Sequence, residues 1–268
     1  MSNQKFLLTI LAVLLAITLG LGIALIALGD GSSDNTEKAP DTAETEPQET
    51  EPAEDILEIP TPTFSSDLAK YERYMNANDE KYLILVNKSS TINESFTPEK
   101  LVAVKDASKS IELSETAEMA LEAMFIEMRR AGFNNVFVTS AYRSYSYQSS
   151  LFNTYINQEM AKGLSYEKAK ENVLTYSASP GTSEHHTGLA VDLMTTSMSD
   201  LDESFADEPV YPWLLENAWK FGFILRYPED KVEVTGYSFE PWHYRFVGRH
   251  HAYLIYKQGL CLEEYLAD

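Results

Sequence analysis

A break in composition near residue 63 limits where this chain can build a packed core. Residues 30–62 hold eleven Asp or Glu, a single Lys (Lys38), and Pro40, Pro47, Pro52, Pro60 and Pro62. Almost nothing in that stretch can be buried against anything else. Such a segment cannot offset the entropy of ordering, so residues 30–63 are expected to form a disordered acidic tether. Eleven acids less one lysine supply ten of the chain's 20 net negative charges. The acidic balance is therefore largely a property of the tether, and it argues against nucleic acid as a partner. Ahead of the tether, Phe6–Leu28 is a run of 23 residues without a charge. As a helix rising about 1.5 Å per residue, it would cross roughly 30 Å of hydrocarbon. The apolar core of a secretory signal is shorter, about 7–15 residues. Residues 1–29 thus read as an uncleaved transmembrane signal anchor, with cleavage around Ala27-Leu28-Gly29 as the alternative. Lys5 precedes the span and only Lys38 follows it for many residues, which places the short N-terminus in the cytoplasm and the rest outside a bacterial cell membrane.

Residues 64–268 are left to make one domain with a sizeable core. Their one cysteine, Cys261, excludes both an intramolecular disulfide and a cysteine-based zinc cluster. It is expected as a small buried hydrophobe. The pattern predicts a short helix over 67–78, a strand over 82–87 (YLILVN), and a helix capped by Ser114 and running to about Arg130. A strand at 136–140 and helices near 147–162 and 165–176 follow. After them come a buried strand at 188–194, a helix over 211–221 stopped by Gly222, strands at 223–227 and 242–247, and a last helix over 249–257. The fold class this implies is α+β, with helices packed around a small, mainly antiparallel sheet.

The chemistry-bearing residues concentrate in two places. SEHHTGLAVD, residues 183–192, sets Asp192 between Val191 and Leu193 in an apolar strand. A buried carboxylate needs a partner. A metal shared with His185, a buried Arg, or a turn would each supply one. In FEPWHYRF, residues 239–246, strand alternation puts Trp242, Tyr244 and Phe246 on one face and His243 with Arg245 on the other. His243 is either a third ligand or an ordinary strand histidine. Glu240, three residues earlier, is placed to reach a metal-bound water without being a ligand, as a general base must.

Taken together, these two segments resemble the paired signature of the VanY-type D-alanyl-D-alanine carboxypeptidases, zinc peptidases that trim bacterial cell-wall peptides. A third segment, TSAYRSYSYQSSLF at 139–152, resembles that family's substrate-binding segment, and the three occur in the family's order. The resemblance covers roughly residues 80–260. It implies that His185, Asp192 and His243 hold Zn2+ and that Glu240 is the general base and acid. It also implies that Arg143 binds the C-terminal carboxylate of the peptide, with Gln148 and Ser183 assisting. His186 stands where relatives often have Gln, and it is expected in the loop rather than on the metal. Tyr227, after Arg226 in FILRY, is a further candidate for lining the cleft, and His250 and His251 read as a polar helix terminus.

The activity so implied is zinc-dependent removal of the C-terminal D-alanine from peptidoglycan stem peptides, by a monomer tethered to the membrane. Three other readings share the sequence. One is an L,D-carboxypeptidase, D,D-dipeptidase or wall endopeptidase of the same fold. Another is a non-catalytic wall-binding module with a structural zinc, although the presence of Glu240 speaks against it. The third is a signalling ectodomain, for which a cytoplasmic segment of five residues leaves little room.

Overall fold

A computed structural model of the chain describes residues 58–267. The expected anchor (1–29) and the tether as far as residue 57 lie outside the described residues. Residues 58–63, the end of the expected tether, have no regular secondary structure. Among the described residues, no helix is long and apolar enough to cross a membrane.

The fold is α+β and antiparallel throughout its sheets. Strands β1 (Leu101–Ala103) and β2 (Glu112–Ser114) form a small hairpin. The main sheet contains β3 (Val136–Ser140), β4 (Ala190–Thr195), β5 (Phe223–Leu225) and β6 (His243–Phe246), in the order β3-β4-β6-β5. The helix Glu115–Arg130 begins where expected, because Ser114 Oγ accepts a hydrogen bond from the Ala117 N–H. Its stripe of Ala117, Ala120, Leu121, Met124, Phe125 and Met128 is buried in the same core cluster as Val138 of β3, Val191 and Leu193 of β4, and Tyr244 and Phe246 of β6. Strand β4 is buried along its whole length, as suits the inner strand of a sheet covered on both faces.

A helical hairpin, Tyr145–Ala161 and Tyr166–Val173, carries its own small core of Phe152, Ile156, Ala169 and Val173. Ser144 and Ser165 cap its two helices. The helix Val210–Asn217 continues as a 3-10 turn, Ala218–Phe221, and Gly222 ends it at φ 85°. No larger residue fits there, since a Cβ would lie 2.7 Å from the Phe246 ring.

Three expectations need correction. Residues 82–87 are not a strand. A 3-10 turn covers Glu80–Leu83, and the carbonyls of Tyr82 and Ile84 accept hydrogen bonds from Arg245 Nη2 at 2.9 and 2.8 Å. A buried guanidinium satisfies these groups where a strand partner would have done so. The segment 67–78 is only a 3-10 turn, Ala69–Tyr71, followed by one helical turn, Glu72–Met75. The helix Arg249–Gln258 is not the last. Gly259 stops it in the left-handed region, and a further helix, Leu262–Ala267, follows. Cys261 is buried, as expected.

Candidate metal centre and active site

Strand register builds the centre. Asp192 on β4 is paired directly across from His243 on β6, so their side chains emerge side by side on one face. His185 precedes β4 in a 3-10 turn, Glu184–Thr187, that Gly188 closes with φ 68°. The Gly188 carbonyl then accepts from the Ser114 N–H, tying the turn to β2. On the other side, β3 is irregular between Val138 and Ser140 where it meets Asp192. The chain beyond this irregularity runs over the turn, with the Arg143 N–H donating to the His185 carbonyl.

His185 Nε2 lies 3.1 Å from Asp192 Oδ2, and His243 Nδ1 lies 2.9 Å from Asp192 Oδ1. The two imidazole rings meet edge to face, with centroids 5.0 Å apart. All three side chains are buried, and one donor atom from each falls within 4.8 Å of the others. Ligands of a tetrahedral zinc, at bond lengths of about 2.0–2.1 Å, stand roughly 3.4 Å apart. The two imidazole–carboxylate separations are close to that. Two imidazoles and a carboxylate are also a donor set that zinc commonly takes in catalytic sites, with a position left for water. His185 Nδ1 is 2.6 Å from the Ala141 carbonyl, which requires the proton on that nitrogen and leaves Nε2 free to bind. The residues therefore fit Zn2+.

Electrostatics support the same assignment. Burial first, then the nearby Arg143 charge, push the His185 pKa down to about 4, so the ring is neutral at neutral pH. Burial acts against the charged form of His243 too, but its contacts with Asp192 and Glu184 prevail and raise it to about 9. Burial raises Asp192, yet the two imidazoles hold it well below the usual carboxylate range. Without a cation, the carboxylate draws a proton onto His243.

Glu240 stands beside the trio, with Oε2 3.7 Å from His243 Nδ1 and its side chain partly exposed. Burial pushes its pKa up to about 7, which suits a group that must both take and give a proton near neutrality. The Arg143 guanidinium comes to 3.9 Å from Asp192 Oδ2. Its Nη1 donates to Gln148 Oε1 at 2.9 Å, while its Nε has no hydrogen-bond partner. The edge formed by Nε and Nη2 is thus the part of the fork left for an incoming carboxylate.

The remaining sequence candidates occupy supporting positions. Gln148 is fully buried, and its Nε2 donates to the Ala178 carbonyl at 2.7 Å, so both ends of its amide are engaged in holding Arg143. Ser183 is buried at the start of the 3-10 turn and makes no capping bond to it. Tyr227 is buried with its ring 4.9 Å from that of His243, so it backs the ligand rather than facing open solvent. His186 points away from the trio. Its Nδ1 contacts the Arg143 carbonyl at 2.7 Å, and its Nε2 accepts from the Gly181 N–H at 3.2 Å. It braces the loop, in keeping with the expectation that it is not a ligand.

The sequence reading missed Glu184, Arg226, Arg245 and Glu263. Glu184 is buried between two arginines, accepting from Arg226 Nε at 2.7 Å and Arg245 Nη1 at 2.8 Å. Arg226 in turn grips Glu263 with two bonds of 2.8 and 2.7 Å. Part of the signal was present: Arg226 and Arg245 are charges set among apolar neighbours, as Asp192 is, whereas Glu184 lies in a polar run, Ser183-Glu184-His185.

Comparison with known proteins agrees with this geometry. Residues 110–249 match the family VanY, described as D-alanyl-D-alanine carboxypeptidase. A D-alanyl-D-alanine carboxypeptidase of Enterococcus faecalis is 41% identical over 184 residues, covering 69% of this chain and 65% of that protein. The match therefore spans a little under two thirds of that relative. A solved structure of the vancomycin-resistance D,D-pentapeptidase VanY from a VanB-type cassette, in complex with Zn(II), is 40% identical with a TM-score of 0.59, covering 70% of this chain and 99% of that one. The structure of the LD-carboxypeptidase LdcB is 32% identical with a TM-score of 0.62, covering 73% and 95%. With its donor trio, its adjacent glutamate and these relatives, the chain belongs to the VanY family of D-alanyl-D-alanine carboxypeptidases.

Proposed function

We propose that this protein is a zinc carboxypeptidase that removes the C-terminal D-alanine from peptidoglycan stem peptides. One observation carries the reading. A guanidinium whose Nε has no hydrogen-bond partner comes, through Nη2 on the same edge, to 3.9 Å from the carboxylate of the donor trio. A peptide whose terminal carboxylate lies on that edge presents its last peptide bond to the trio and to Glu240. Cleavage one residue from a free C-terminus follows from this spacing.

His185, Asp192 and His243 would hold the ion. Bound there, Zn2+ supplies Lewis-acid polarisation of a carbonyl and lowers the pKa of a bound water. Glu240 takes the proton from the attacking water and returns it to the leaving amine. Arg143 orients the substrate, and Gln148 keeps Arg143 from turning away. The buried walls exclude bulk water from the trio.

The experiment is mass analysis of defined muropeptides. Pentapeptide stems are expected to lose one D-alanine, and a chelator is expected to stop the loss. Persistent activity after complete metal removal would refute the reading. A second reading, L,D-cleavage of tetrapeptide stems, is favoured by the similarity to the LD-carboxypeptidase LdcB. Faster turnover of tetrapeptide than of pentapeptide would select it.

The uncharged run Phe6–Leu28 supports a membrane anchor, with the catalytic domain outside the cell membrane and the acidic segment 30–63 as a tether. The protein is read as a monomer. Protease treatment of intact spheroplasts tests the placement, with loss of the domain expected while a cytoplasmic marker survives. Sedimentation tests the monomer.

A further inference from the structure

Glu184 separates two parts of the active-site signature and has no role in the reading above. Its side chain is fully buried. Its Oε1 is taken by Arg226 and Arg245, while Oε2 has no hydrogen-bond partner. His243 Nε2 is also buried without a partner. These two unpaired atoms lie 3.5 Å apart. Leaving a buried donor or acceptor unmatched is costly, and a proton on Nε2 directed at Oε2 satisfies both. With that proton on Nε2, Nδ1, beside Asp192, is the nitrogen left to bind an ion.

We propose that Glu184 is a positioning residue that fixes the tautomer and tilt of His243 for metal binding, and that Arg226 and Arg245 lock Glu184 in that duty. The inference rests on His243 being a zinc ligand. Two guanidiniums hold the first oxygen of Glu184 and so keep the second turned to the ring. Each arginine is itself tied down. Arg226 holds Glu263 of the C-terminal helix, which also accepts from Asn87 at 3.0 Å. Arg245 holds the Tyr82 and Ile84 carbonyls. The orientation of one ligand is thereby anchored to two distant segments of the fold. A carboxylate behind a metal-bound imidazole also raises the basicity of the ligand.

The test is the zinc dissociation constant of the purified full chain, measured by competition with a chromophoric chelator, so that catalysis is not the readout. In Glu184→Gln the amide oxygen still serves the arginines, but the NH2 group faces Nε2. The ring must then accept, which moves its proton to Nδ1. Zinc affinity is expected to fall 10- to 100-fold, on the order seen when such outer partners of metal ligands are lost. Glu263→Gln removes the same charge one step further along the network without touching His243, and its loss of zinc affinity is expected to be at most a few fold, well below that of Glu184→Gln. Equal loss in both variants, or no loss in Glu184→Gln, overturns the proposal. If Glu184→Gln does not fold, the zinc-loaded wild type labelled with 15N-histidine decides. The His243 Nε2 proton is expected downfield and slow to exchange, and rapid exchange with solvent overturns the proposal. A wild type that binds no zinc overturns the zinc reading itself, and that result precedes any comparison of variants.

Discussion

Replacing Arg143 with alanine separates recognition of the chain end from the chemistry. The guanidinium edge that would meet a carboxylate comprises Nε, which has no hydrogen-bond partner, and Nη2, which lies 3.9 Å from Asp192. Hydrogen bonds to charged groups are worth about 1.5–3 kcal/mol each. The side chain is 21% exposed, which lets solvent screen the pair and favours the low end. The expected loss is therefore about 3 kcal/mol, roughly a hundredfold in kcat/KM. Most of it is expected in KM, because the clamp holds the terminal carboxylate in the ground state as well as in the transition state. The assay compares a stem pentapeptide with its C-terminal amide. The variant should lose about a hundredfold on the acid and far less on the amide. Its zinc content should stay the same, because Arg143 is a positive charge beside the trio and its removal does not weaken a cation site. Equal losses on both peptides, or loss of zinc, would refute the assignment of Arg143 as the carboxylate clamp.

Other outcomes follow from the same geometry. Glu240→Gln is expected to bind zinc normally and to lose about 10²–10⁴ in kcat, a typical contribution of a general base; loss of the metal would make Glu240 a ligand. In the wild type the acid limb of kcat/KM is expected to follow Glu240, at about 7 or below, since a bound dication beside it favours the ionised form. His243 is protonated up to about pH 9 in the metal-free protein, so binding zinc at pH 8 should release about one proton, seen as a dependence of calorimetric heat on the buffer. Glu118 is buried with Oε2 unpaired, and burial raises its pKa from 4.5 to about 7. The folded state thus binds a proton that the unfolded state has released, and stability falls as pH rises from 4.5 through 7, by up to about 3 kcal/mol. Denaturant melts of Glu118→Gln should lack that fall; an identical pH profile in both proteins would place the pH dependence elsewhere.

Of the donor trio, Asp192 was legible as a charge that an apolar strand cannot leave unpaired, while His185, in a turn, and His243 were assigned through the resemblance to the VanY family. Asp192 and His243 meet through cross-strand register, and alternation along FEPWHYRF had already put His243 opposite the apolar face. The Ser114 cap and the stripe of the helix it starts were legible for the same local reason. What failed was non-local. YLILVN has the composition of a strand, yet Arg245, more than 160 positions later, takes its carbonyls. The Leu262–Ala267 helix is short, so Leu262 and Tyr265, which share a core cluster, make too brief a period to read, and Arg226 holds Glu263 within it. The arginine–glutamate network escaped notice although Arg226 and Arg245 each interrupt an apolar segment, so the rule that flagged Asp192 applies to both; Glu184 sits in a polar run and gave no such signal.

The direct pairing of Asp192 with His243 makes the centre all-or-none. Side chains alternate along a strand, so a slip of one position between β4 and β6 sets Val191 or Leu193 against the imidazole. No half-built cage results. Molecules that have misaligned their central strands are silent to the ion, and titrating a preparation with it counts the correctly aligned chains one by one.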